Sequence, residues 1–275
     1  MVRARRIGNS GGPFADTTGT PMQAALAPWQ WLAVIAIFVA AGCVKGVIGL
    51  GLPTISMALL AVFMLPSHAA ALLVVPSLLS NLWQMRPART LGPLLRRTGL
   101  LQLGTVIGTL LAGLVWGAPA GAWASVILGG VLCVYAASGL AGWQLPPGSP
   151  RLGLFMGLAT GVVTAVSGVF VIPAVPYLQS LKLDRDALVQ AMGLSFTVST
   201  LALSVNLAVA GAFRLADVAT SCALVVPTLI GMSLGTALRR RLSPQVFRRC
   251  FLVSLAVLGV YLAASALPGM PGHQG

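Results

Sequence analysis

Residues 42–53 read Gly42-Cys43-Val44-Lys45-Gly46-Val47-Ile48-Gly49-Leu50-Gly51-Leu52-Pro53, a run that sets four glycines, a lysine and a proline inside an otherwise apolar stretch. In a helix each glycine costs roughly 1 kcal/mol relative to alanine, and a proline removes a backbone donor. In hydrocarbon the freed N–H and C=O groups must be satisfied by protein or by a watered cavity. The stretch therefore predicts a helix interrupted inside a membrane, with a cation beside the interruption.

The rest of the chain makes a membrane the only tenable solvent. It is 57% hydrophobic and 8% charged, against roughly 25% charged in a soluble domain, too little polarity to cover a water-facing surface. The net charge of +13 comes from Lys and Arg lying between apolar runs, not along one helix face. That distribution marks topology and headgroup contact and argues against nucleic acid as a partner. Cys43, Cys133, Cys222 and Cys250 are scattered, without CxxC or a His or carboxylate at ligand spacing. They read as small apolar fillers, and neither a metal site nor a cofactor is expected. Residues 1–28 are polar and rich in Gly, Pro and Thr, with no apolar core of a signal peptide, so a disordered tail is expected there.

From Trp29 the apolar segments fall into five before the linker 142–151 and five after it, giving membrane regions 29–141 and 152–267 and a C-terminal tail 268–275. Laying Gly42 on Gly161 and Gly49 on Gly168 brings two glycine breaks into register, with Pro53 one residue from the match to Pro173. Further on, Ser77 pairs with Ser195 and Asn81 with Ser199, and GTVIGT from Gly104 matches GMSLGT from Gly231. Gly104/Gly108 and Gly231/Gly235 are small-xxx-small pairs suited to close helix packing in lipid. An odd number of segments per copy inverts the second copy relative to the first. The expected fold is thus an all-α polytopic membrane protein of two inverted repeats, with about 8–10 membrane segments and broken hairpins at the glycine motifs. With the loop 86–97 inside, Arg151, Lys182, Arg185, Arg239, Arg240, Arg241, Arg248 and Arg249 also fall inside, leaving Arg214 outside. Arg3, Arg5 and Arg6 fall outside too, beyond the reach of the positive-inside bias.

At 1.5 Å per residue, Trp29–Val44 spans about 24 Å and Thr54–Leu65 about 18 Å, short of a hydrocarbon core of about 30 Å. Each glycine motif is therefore expected to form a hairpin of short helices, the two tips entering from opposite faces and meeting near the midplane. Lys45 has two readings. It either snorkels to an interface, or it lies deep as a positive point that, with Gly46, Gly49, Gly51 and the helix N-termini after Gly51 and Gly168, attracts an anion. Thr54, Ser56, Ser77, Thr164, Ser167, Ser195, Thr197 and Ser199 are candidate neutral donors, although serine and threonine in such helices ordinarily bond their own i−4 carbonyl. Asn81 stands out because an amide in hydrocarbon must be paired.

Carboxylates are scarce: Asp16 lies in the tail, Asp184, Asp186 and Asp217 are read as loop residues, and there is no glutamate. His68 and His273 are read as surface residues. No HExxH, GxSxG or intramembrane His–Asp pair is present, so an enzyme is not expected.

In GCVKGVIGLGLP, its weaker copy GLATGVVTAVSGVFVIP, and VIPAVPYLQSLKLDRDALVQAMGLSFTVSTLAL, the chain resembles the TauE/SafE family of sulfite exporters and toluene-sulfonate uptake permeases over about Trp29–Ala264. The resemblance implies a multi-pass transporter of the bacterial inner membrane, carrying sulfite, sulfoacetate or related sulfur-containing or carboxylate anions. Its partners are then a small anion and the lipid bilayer, with a coupling ion and the oligomeric state left open. The alternatives are a non-transporting assembly or anchor subunit, and an anion channel.

Overall fold

A computed structural model describes residues 27–266 apart from 120, 144, 147, 214, 240 and 242. Most of the expected N-terminal tail, the whole C-terminal tail, and Arg3, Arg5, Arg6, Arg214 and Arg240 lie outside the described residues. The described residues form helices α1 (Pro28–Ile48), α2 (Leu52–Leu60), α3 (Pro66–Gln84), α4 (Leu91–Trp116), α5 (Gly121–Leu140), α6 (Pro150–Ser167), α7 (Ala174–Ser180), α8 (Arg185–Val209), α9 (Leu215–Ala223), α10 (Val225–Leu238) and α11 (Pro244–Ser265). Among the described residues, seven helical spans are long and apolar enough to cross a membrane: α1, 88–116, 122–140, α6, α8, 217–238 and 245–265. The protein is an all-α, multi-pass helical bundle.

The first helix corrects the reading of the glycine stretch. It runs through Gly42, Lys45 and Gly46 to Ile48, and its 21 residues span about 31 Å, enough to cross. Only Gly49–Gly51 interrupts it. Gly42 and Gly46 stay helical because α10 lies against them. A Cβ on Gly42 would stand 2.4 Å from the Thr228 carbonyl oxygen, and one on Gly46 2.4 Å from that of Met232. Close backbone approach thus replaces what the glycines lose in propensity. Pro53 opens α2 near its N-terminus, where no helical N–H is required. After the Gly168 break the chain is helical again only from Ala174, and the apolar run before Leu238 is divided at Leu224 into α9 and α10. Asp184 is the N-cap of α8, its carboxylate accepting from the Ala187 N–H at 2.9 Å. Asp186 and Asp217 lie within first turns of helices rather than loops.

Each of the most extensive helix pairs, α4–α6, α1–α10, α5–α11 and α3–α8, joins a helix before the 142–151 linker to one after it. The α4–α6 crossing repeats the device of α1–α10: added Cβ atoms on Gly104 and Gly161 would sit 2.4 Å from the carbonyl oxygens of Leu154 and Thr105. Proline inside α3 is accommodated by a neighbour. Pro76 lacks the N–H that would bond the Leu72 carbonyl four residues back, and the Ser221 hydroxyl of α9 donates to that carbonyl at 2.8 Å.

Side chains on the outside match a bilayer. Leu32, Leu79, Leu103, Leu114, Leu229 and Val257 are exposed. Exposed Trp29, Trp116 and Trp123 sit at helix ends, as do Trp83 and Trp143, the position of interfacial tryptophans. The basic segments converge. Arg97, Pro150 and Lys182 line one cavity, the Arg97 guanidinium donates to the Leu181 carbonyl at 2.7 Å, and Arg86 and Arg241 line another.

Candidate functional site

Lys45 is 2% exposed and does not snorkel. Its neighbour Gly46 is pressed on α10, and a step of one residue, about 100° around a helix, turns Lys45 onto α3. There its ammonium donates to Ser80 Oγ at 2.9 Å and to Asn81 Oδ1. Both acceptors are neutral. An ammonium carries three N–H donors, so these two bonds leave one for a further ligand. Taking such a charge out of water costs several kcal/mol unless it is well paired, a cost that packing alone gives no reason to retain.

The buried polar inventory of the helices beside α1 is incomplete. Among the described residues, Thr54 Oγ1, Ser56 Oγ, Ser77 Oγ, Asn81 Nδ2, Gln84 Oε1 and Gln102 Oε1 are buried without a hydrogen-bond partner. An orphaned buried polar group costs about 1–3 kcal/mol. Five of the six lie on α2 or α3, which pack on one another, with α2 also against α1. Four of those five can donate: the hydroxyls of Thr54, Ser56 and Ser77, and the Asn81 amide. A buried lysine in a cluster with unused donors is the chemical complement of an anion.

The turn beside this cluster is built from glycines that need positive φ. Gly49, at φ 81°, closes α1 by donating its N–H to the Lys45 carbonyl at 2.8 Å, and Gly51 opens α2 at φ 110°. Gln84 Nε2 donates to the Gly49 carbonyl at 2.6 Å, holding the turn level with the end of α3. Lys45 lies one helical turn, about 6 Å, inward from it. The second motif ends α6 in the same way, Gly168 at φ 70° donating to the Thr164 carbonyl at 2.9 Å. The hairpin tips do not abut as expected. Gly168 meets Met57, in the middle of α2, where an added Cβ would fall 2.7 Å from the Met57 methyl.

Of the residues singled out by sequence, Lys45, Thr54, Ser56, Ser77 and Asn81 fall on the α1–α3 cluster, and Gly49 and Gly51 shape its turn. Gly46 serves the α10 contact. Ser167 donates to the Val163 carbonyl at 2.7 Å and accepts from the Val169 N–H at 3.2 Å, so it finishes α6. Ser195 accepts from Gln102 Nε2 at 2.7 Å, on a separate polar group between α4 and α8, and Ser199 is buried on the same helix. Sequence reasoning passed over Ser80, Gln84 and Gln102. The rule applied to Asn81, that an amide in hydrocarbon needs a partner, selects both glutamines equally, and Ser80 follows Ser77 by one helical turn.

A sequence model of the family described as sulfite exporter TauE/SafE matches residues 34–262, a span that contains the whole cluster. The chain belongs to the TauE/SafE family. No curated protein and no solved structure matches it. Membership places this chain among multi-pass membrane transport proteins, and in this TauE/SafE member the matched span runs from α1 into α11.

Proposed function

We propose that this protein is a secondary transporter of small anions, sulfite, organosulfonates or related sulfur-containing or carboxylate anions, in the inner membrane of a bacterium. The observation that carries this reading is the buried Lys45, with one N–H unused and orphaned donors on Thr54, Ser56, Ser77 and Asn81 in the same helix cluster. An anion entering it accepts a charge-assisted bond from Lys45 and neutral bonds from the others. Tetrahedral and pyramidal sulfur oxyanions present several acceptors at once, which suits a donor set spread over three helices.

Transport proceeds, in this reading, by alternating access between two inverted halves. Support comes from reciprocity. α1 and α6 correspond in the glycine alignment, as do α10 and α4, and α1 packs on α10 as α6 packs on α4, glycine against backbone in both. These crossings pair corresponding helices across the two halves, as an inverted duplication requires. The test is flux of sulfite, sulfonates and carboxylates into proteoliposomes, with and without a pH gradient. Saturable, counter-exchanging flux of one of these anions is the expected result. Flux without saturation identifies a channel, and no flux of any of them identifies an assembly or anchor subunit.

A further inference from the structure

A groove of about 1330 Å³ runs between α3 and α10 on the outside of the bundle. Along α10 its lining extends from Val225 to Leu238, about 20 Å at 1.5 Å per residue, more than the half-thickness of about 15 Å of one leaflet's hydrocarbon. Its walls are apolar, with Leu229 and Leu234 half-exposed on one side and Trp83 on the other. Two arginines stand at one end, Arg86 just beyond α3 and Arg241 just beyond α10, and no acidic residue is in the lining. The Arg86 guanidinium rests over the Trp83 ring at 4.4 Å, which orients the cation at the mouth. Ser233 and Thr236 donate to carbonyls of their own helix, so the walls hold no competing polar claim.

We infer that this groove binds an anionic phospholipid, its phosphate between Arg86 and Arg241 and an acyl chain along α10. Charge complementarity and leaflet length together select this occupant. A zwitterionic lipid satisfies the length and forfeits the charge, whereas a free phosphate does the reverse. The groove also reaches Ser80, the residue that accepts from Lys45. A lipid seated there bridges α3 to α10, the helix on which α1 is packed, and so touches both sides of the Lys45 cluster without entering it.

The test uses the full chain purified in mild detergent, with bound lipid counted by native mass spectrometry and thermal unfolding followed on titration. Phosphatidylglycerol is retained and raises the unfolding temperature, whereas phosphatidylcholine with the same acyl chains is retained more weakly. In the double variant R86Q/R241Q, retention of phosphatidylglycerol weakens about 30-fold, since each arginine near an anionic headgroup contributes about fivefold; retention of phosphatidylcholine and unfolding without lipid stay unchanged. L229W, which fills the groove, removes phosphatidylglycerol with both arginines in place. Equal retention of the two lipids, or undiminished phosphatidylglycerol on R86Q/R241Q, overturns the inference. So does equal stabilisation by inorganic phosphate, which needs no groove, and so does a dimer that L229W dissociates, which makes the groove a contact between copies.

Discussion

Replacing Lys45 by Met separates the charge from the volume it occupies. Methionine follows the lysine stem and adapts to irregular packing, so the buried space between α1 and α3 stays filled. The change removes a buried ammonium, a relief below the roughly 2.5–3.5 kcal/mol of the bilayer centre, since Lys45 lies in the last turn of α1. It also strips Asn81 Oδ1 of its donor, a loss of about 1–3 kcal/mol. Ser80 suffers less because its hydroxyl still donates to the Ser77 carbonyl at 3.1 Å. The two terms oppose one another, so K45M inserts and unfolds close to the parent protein. Binding changes far more. A hydrogen bond from a charged donor contributes about 1.5–3 kcal/mol, which converts to a loss of about 10–150-fold in anion affinity. The assay is the concentration dependence of anion flux in proteoliposomes, normalised to inserted protein. A K45M protein that moves every anion at the parent's half-saturating concentration refutes the role given to Lys45.

Three further outcomes follow from the geometry. In G46A the new methyl meets the Met232 carbonyl at 2.4 Å, and the α1–α10 crossing loses about 1–3 kcal/mol, whereas G92A, with nothing within 4 Å, unfolds at or above the parent temperature; thermal unfolding in detergent distinguishes them. T54V and S77A each remove an orphaned hydroxyl, so both are at least as stable as the parent yet lose about 0.5–1.5 kcal/mol of binding each, read as a smaller ligand-induced shift in unfolding temperature; an undiminished shift excludes these hydroxyls from the site. Gln102 and Ser195 are bonded at 2.7 Å, so a double-mutant cycle of Q102L and S195A yields a coupling of about 1 kcal/mol in stability, and a coupling near zero denies the bond.

The chain announced its solvent, its helical class and its interruptions, because these follow from local composition: apolar runs, glycines and prolines act on the residues beside them. It also marked Lys45 and Asn81, since a cation or an amide in hydrocarbon demands a partner wherever the chain runs. Which partner was beyond it. That Lys45 meets Ser80 and Asn81, some 35 residues along, depends on how α1 is rotated against α3, and that rotation is set by Gly42 and Gly46 lying on α10, almost 190 residues away in sequence. The same two glycines read locally as helix breakers, yet α1 continues through them, because a loss of roughly 1 kcal/mol per glycine is outweighed once backbones touch along a crossing. Ser221 reaching the carbonyl that Pro76 leaves free is of the same kind. Local residues determine where a membrane chain is weak or charged; only the packing of distant helices decides whether a weak point becomes a turn or a contact, and whether a charge is left at the surface or enclosed beside unused donors.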